Sequence, residues 1–242
     1  ILSRGIHYGY CLYCRRWDLS SNINCMKRFG LLIPSSNVVL EPLAQKVKDK
    51  GTIHIARLEV LDVKMDNTSR GQFELKKQVS AARLLSDAKV NVIIWGGTSA
   101  SWLGIGTDLR FIEELHKQTG ISAESCVLEI NRQLAVLGAR RLGIVTPYTA
   151  DVTNQITQNY KSLGFQVVAT AHDNGEFSND FASIPQQTIA HMIRTVAVAQ
   201  PDAIIIMCTN VAGAALAQTM QKETDCPIID SASATLAAFD QF

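Results

Sequence analysis

From residue 29 onward, short runs of consecutive apolar residues alternate with longer stretches whose apolar positions recur at helical spacing. The runs 29–33, 53–61, 90–95, 141–146, 165–170 and 202–207, with a short one near 227–229, predict strands. Most are continuous rather than alternating, as in a parallel sheet covered on both faces. The periodic stretches near 38–50, 71–88, 104–119, 126–138, 150–163, 184–199, 212–224 and 231–240 predict helices. Such strand–helix alternation implies an α/β fold with right-handed crossovers. Gly138 and Gly164 stand just past helical stretches, where a C-cap glycine belongs.

The pattern also repeats. LGIVTPYT (142–149) echoes GLLIPSSN (30–37): each is a strand ending in proline, followed by small hydroxyl-bearing residues. DAIIIMCTNVAG (202–213) likewise echoes NVIIWGGTSASW (91–102). Pro34 precedes Gly97 by 63 residues and Pro147 precedes Cys208 by 61. Matched pairs at nearly equal spacing predict two pseudo-symmetric lobes, 28–120 and 121–242, each a parallel sheet flanked by helices. The last helix is expected to pack back on the first lobe. Ligands of open α/β sheets sit at the C-terminal strand ends, which places a site between the lobes. Residues 1–27 read unlike the rest, and Met26 directly precedes the first strand. They are expected to be an extension from upstream translation or cloning.

Composition narrows the function. The 242 residues are 47% hydrophobic and 19% charged, with a formal net charge of +1. That balance lacks the basic excess of a nucleic-acid binder. No apolar run approaches the ~20 residues of a membrane helix. Six scattered cysteines (Cys11, Cys14, Cys25, Cys126, Cys208, Cys226) suit a reducing compartment better than a disulfide framework, so a cytoplasmic location is expected. Cys11-x-x-Cys14 with Cys25 and His7 lacks the second closely spaced pair of a zinc site. Gly104-Ile105-Gly106 is too short for a dinucleotide fingerprint, and no phosphate-binding GxxxxGK[ST] loop or GxSxG elbow occurs. No metal or organic cofactor is therefore expected.

The repeat gathers Ser35, Ser36, Asn37, Thr98, Ser99, Tyr148, Thr149, Thr209 and Asn210 at four strand ends. All are neutral hydrogen-bonding side chains. Each alone reads as a helix cap, whereas their convergence points to a carboxylate site served by free backbone N–H groups. Cys208, placed between a strand and a helix start, is expected to have a lowered pKa and partial access; the alternative is a small buried hydrophobe. Cys126 and Cys226 read as structural. His172 follows the strand at 165–170 and reads either as a cleft-rim residue or as a solvated loop histidine. Trp95 and Trp102 flank the glycine loop, Trp95 as a core residue.

The segments GLLIPSSN, GGTSASW, LGARRLGIVTPYTADVTNQ, CTNVAG and CPIIDSASATLAAF resemble the aspartate/glutamate racemase superfamily. Within it they are similar to the branch of maleate cis-trans isomerases and arylmalonate decarboxylases, over about residues 28–240. The resemblance implies two α/β lobes, an active site between them, no cofactor and a small dicarboxylate substrate. Racemases of the superfamily use one cysteine per lobe. Here Gly97 takes the first-lobe position and only Cys208 remains, which resembles the decarboxylase pattern. That pattern implies that Thr98, Ser99, Tyr148 and the backbone after Cys208 hold one carboxylate, while the other leaves as carbon dioxide. Pro34, Ser35, Ser36, Asn37, Thr209 and Asn210 complete the implied site. Ser35-Ser36-Asn37 and Asn210 resemble the isomerase side instead, where asparagines bind two carboxylates. Isomerase or racemase chemistry, and a non-catalytic carboxylate binder, are the alternatives.

Overall fold

The apolar runs form the strands of two wholly parallel, four-stranded sheets in a computed structural model that describes residues 26–46 and 51–242. Most of the expected extension, with Cys11, Cys14, Cys25 and His7, lies outside the described residues. In the first sheet β1 (Lys27–Pro34) is flanked by β2 (Gly51–Leu58) and β3 (Val92–Trp95), with β4 (Ser122–Ser125) outside β3. The second sheet repeats that order: β5 (Arg141–Tyr148) lies between β6 (Gln166–Gly175) and β7 (Ala203–Ile206), with β8 (Ile228–Asp230) outside β7. These are two pseudo-symmetric α/β lobes.

Side chains of a strand alternate between its faces, so a continuous apolar run feeds two cores. Phe29, Leu31 and Ile33 pack with Val92 and Ile94 on one face of the first sheet. Leu32, Ile93 and Trp95 pack on the other, under α3 (Leu75–Asp87) and α5 (Gly106–Thr119). Burying each such side chain contributes about 1.5–3 kcal/mol. The first face is covered by α1 (Leu40–Ala44) and by the chain end, where Phe239 meets Phe29 at a ring separation of 4.7 Å. Ala232 and Leu236 of α10 (Ser231–Ala237) belong to the same cluster, so the last helix packs on the first sheet. The helix after β4, α6 (Cys126–Leu137), packs Ile130 and Leu134 into the second sheet's core. The helix after each sheet's last strand thus packs on the other sheet, and because β4 completes the first sheet, the first lobe runs to Ser125 rather than ending at residue 120.

Elements depart from their expected limits for local reasons. The stretch at 104–119 is preceded by a separate turn, α4 (Ala100–Leu103), because Gly104 takes a φ of 101°. Asn67–Gly71 forms its own short helix, α2, capped by Asp66, before α3 begins. The helix expected at 38–50 is described only as α1, and 47–50 lie outside the described residues. Strand β6 runs on to Gly175, so His172 is a strand residue paired with Thr146, neither a rim nor a loop histidine. In the second lobe α7 (Ala150–Ser162) and α8 (Gln186–Ala197) match their expected stretches, and α9 spans Ala214–Thr224. Gly138 ends α6 in the left-handed region, and Gly164 does the same after α7.

Candidate active site

Four loops leave the C-terminal ends of β1, β3, β5 and β7 and meet between the lobes. Pro34, Gly97, Thr98, Ser99, Tyr148, Thr209 and Asn210 line one small cavity there. The Thr98 and Tyr148 hydroxyls are hydrogen-bonded across the lobes at 2.8 Å, and both residues are buried. Tyr148 is held edge-on to Phe181, with ring centroids 5.4 Å apart. The Ser99 hydroxyl accepts a hydrogen bond from the Trp95 indole N–H at 3.3 Å.

Cys208 adjoins this wall, 4% exposed. Its Sγ accepts the Asn210 amide N–H at 3.4 Å and feels the nearby Tyr148 hydroxyl. Burial pushes the thiol pKa up to about 11, only partly offset by those two donors. This reverses the lowered value expected from the sequence. The reason is burial: desolvation of the thiolate outweighs the backbone donors of Asn210 and Val211, and the helix after β7 begins only at Ala214, six residues beyond the cysteine. Burial also raises the Tyr148 hydroxyl well above its ordinary range. Cys126 and Cys226 instead donate to the carbonyls of Ser231 and Pro201, each at 3.3 Å.

The other expected site residues have different work. Asn37 is fully buried; its Oδ1 accepts the amides of Val39 and Leu40, and its Nδ2 donates to Thr209 Oγ1 across the lobe boundary. Thr209 in turn donates to the Gly96 carbonyl at 2.8 Å. Asn210 mirrors this. Its Oδ1 accepts the Val38 amide, and its Nδ2 donates to the carbonyls of Ser178 and Ser36. Ser35 Oγ accepts the Val60 amide, and Ser36 Oγ donates to the Val60 carbonyl. Asn37, Thr209, Asn210 and, through the Ser178 hydroxyl, Ser36 join the lobes, Ser35 ties β1 to Val60 within the first, and Ser35, Ser36 and Asn37 stay out of the cavity lining. Asn210→Ala is expected to cost roughly 2–4 kcal/mol, since it strands a buried amide and two carbonyls; urea unfolding checks it.

Several lining residues gave no signal in the sequence. Val60, Val63 and Phe73 come from the first lobe beyond β2, and Ser178 and Phe181 from the segment beyond β6; Trp102, legible in the sequence as a flank of the glycine loop, joins them from α4. Their convergence depends on a contact between two rim segments. Val63 N–H donates to the Glu176 carbonyl and Ser178 N–H to the Leu61 carbonyl, each at 3.0 Å, forming a short antiparallel bridge. Lys64 pairs with Glu176 at 3.0 Å on the outside. Under this clasp the cavity measures only about 30 Å³, room for roughly one or two waters.

The cavity has two chemical halves. The hydroxyls of Thr98, Ser99 and Tyr148 supply neutral donors, Thr209 and Asn210 add polar wall with their side-chain hydrogens already bonded to Gly96, Ser36 and Ser178, and Val60, Val63, Phe73, Trp102 and Phe181 supply apolar and aromatic wall. No Lys, Arg or His is among its lining residues. Among the described residues no group of three or more His, Cys, Asp or Glu side chains could hold a metal ion. Preorganised neutral donors in a dry site can bind a carboxylate and stabilise charge that develops on it.

Comparison with known proteins agrees with this architecture. The family model described as arylmalonate decarboxylase matches residues 30–240. A maleate isomerase from Nocardia farcinica is 21% identical over 221 residues, covering 86% of this chain and 87% of its own. A mutant of the Nocardia farcinica maleate cis-trans isomerase with a covalently bound succinylcysteine intermediate superposes with a TM-score of 0.77 at 21% identity, over 89% of this chain and 91% of that one. A double mutant of arylmalonate decarboxylase in liganded form gives a TM-score of 0.79 at 15% identity, over 89% and 92%.

Proposed function

The chain belongs to the arylmalonate decarboxylase family, and from that premise we propose that it is a cofactor-independent decarboxylase of a substituted malonate. The observation that carries this reading is the place of Cys208: buried behind the cavity wall beside Tyr148 and Asn210, outside the lining itself, with burial raising its pKa to about 11. A thiol in that state is a proton donor at neutral pH. A nucleophile needs the thiolate instead.

The reaction follows from the two halves of the cavity. One carboxylate of the substrate accepts hydrogen bonds from Thr98, Ser99, Tyr148 and the amides after Cys208. The other lies against Val63, Phe73, Trp102 and Phe181, where its charge is poorly solvated. The bond from C2 to that carboxyl breaks, carbon dioxide departs, and the electron pair moves onto the retained carboxylate as an enediolate. The donors stabilise that charge. Cys208 then transfers its proton to C2, and solvent reprotonates the thiolate. One donor on one face yields one enantiomer. Entry requires the clasp between residues 61–63 and 176–178 to part, because the closed cavity is smaller than any diacid. The substrate would be met in the cytoplasm, where Cys126, Cys208 and Cys226 stay free.

The test is proton NMR in D₂O with 2-methyl-2-phenylmalonate and maleate offered in parallel. Loss of one malonate carboxyl with deuterium at the new C2 is the expected result. Conversion of maleate to fumarate would show an isomerase instead, a reading favoured by the names of the curated relatives. Against it stand the protonated Cys208 and the commitment of Asn37 and Asn210 to joining the lobes. Tyr148→Phe is expected to lower kcat about 100-fold, since it removes one donor to the developing charge; steady-state rates in the same assay check it.

A further inference from the structure

Gly97 lies where the superfamily resemblance puts a first-lobe cysteine, and its surroundings explain the glycine. A Cβ built on Gly97 falls within 3 Å of three carbons in the six-membered ring of Trp95. Real Cβ atoms essentially never come so close, so the indole already fills the space a side chain would need. That indole cannot step aside cheaply. Trp95 is fully buried at the end of β3, packed in one cluster with Leu32, Ile93 and Phe111. Its N–H is also engaged by Ser99 Oγ.

We propose that Trp95 is the positioning residue that keeps the first-lobe wall free of a side chain: its ring excludes any group at position 97, and its N–H fixes the Ser99 hydroxyl in that wall. The consequence for catalysis, that protons reach the substrate from the Cys208 side alone, rests on the decarboxylase reading; the steric claim does not. On this view a first-lobe thiol cannot be restored by exchanging residue 97 alone. It requires Trp95 to shrink at the same time.

The experiment compares melting temperatures of the parent, Gly97→Ala, Trp95→Leu and the double variant. Overpacking a buried site in a chain of this size is expected to lower Tm by about 5–10 °C for Gly97→Ala alone. In the Trp95→Leu background the same exchange should leave Tm unchanged or raise it, because the methyl enters vacated space. An equal fall in both backgrounds, or none in the first, overturns the proposal. Should the Trp95→Leu protein fail to fold, the near-UV circular dichroism of Gly97→Ala decides: a displaced indole alters the tryptophan bands, and an unaltered spectrum overturns it. Trp95→Phe then isolates the hydrogen bond. It is expected to raise KM three- to tenfold, as roughly estimated for a lost ground-state anchor, with kcat within about twofold. An unchanged KM overturns the Ser99 half. The parent's own turnover of malonate or maleate reports on the reaction, and the melting temperatures report on Trp95 whatever that reaction is.

Discussion

Cys208→Ala is expected to lower the decarboxylation rate by roughly 10²–10⁴, the range that a positioned proton donor contributes. KM should change little, because the groups assigned to the retained carboxylate are Thr98, Ser99, Tyr148 and backbone amides. Without the thiol the enediolate forms but has no acid near C2, so it recaptures carbon dioxide or waits for stray water. Product from the variant should therefore approach a racemate, whereas the parent gives one enantiomer. Proton NMR of 2-methyl-2-phenylmalonate turnover in D₂O, with chiral chromatography of the product, measures both. A variant within tenfold of the parent, or one with unchanged enantiomeric purity, removes Cys208 from the mechanism.

The pH dependence has a defined sign. Cys208 acts protonated, and burial holds its pKa near 11. Activity limited by this step is then level through neutral pH and is lost only as the pH rises toward 11. A thiolate nucleophile would show the reverse, with activity growing as the thiol ionises.

Much of this site could be read from the chain before any coordinates. The paired segments at Pro34, Gly97, Pro147 and Cys208 mark four strand ends, and their nearly equal spacing points to two similar lobes. What the repeat implied and the hydropathy hid is β4. Ser122–Ser125 carries no apolar run because it is an edge strand with one end exposed, yet its counterpart β8 was legible from its isoleucines. The clasp was hidden for a different reason. Asp62 and Phe177 are 115 residues apart, and the two hydrogen bonds beside them use only backbone atoms, which leave no mark in side-chain pattern. Asn37 and Asn210 were visible as paired asparagines, but their shared polarity could not say whether they face a ligand or the opposite lobe. Cys208 was misjudged in its electrostatics, because how deeply a strand-end residue is buried depends on the opposite lobe, and burial is what disfavours its thiolate.

Asp108→Asn is expected to stabilise the protein above neutral pH. Asp108 sits in the first turn of α5, fully buried, and neither carboxylate oxygen has a hydrogen-bond partner among the described residues. Desolvation pushes its pKa from 3.8 up to about 7, and the nearby Ser125 hydroxyl, which makes no hydrogen bond of normal geometry to it, recovers only part of the cost. The helix N-terminus favours an anion by at most about 2 kcal/mol in buried settings, too little to offset burial. Between pH 4 and 7 the native state holds a proton that the unfolded chain has lost, so stability falls as pH rises through that window. The accumulated loss is roughly 4 kcal/mol at pH 8. An amide of the same shape never ionises and escapes it. The variant should therefore melt roughly 10 °C above the parent at pH 8 and close to it at pH 4.5. Asp230, capping α10 with its own pKa raised to about 6 by burial, shifts in the same direction and leaves the variant a shallower slope. Melting curves at half-unit pH steps decide the matter: parallel slopes for the two proteins would mean that Asp108 is solvated or paired in solution, and that the buried charge is not what limits stability at high pH.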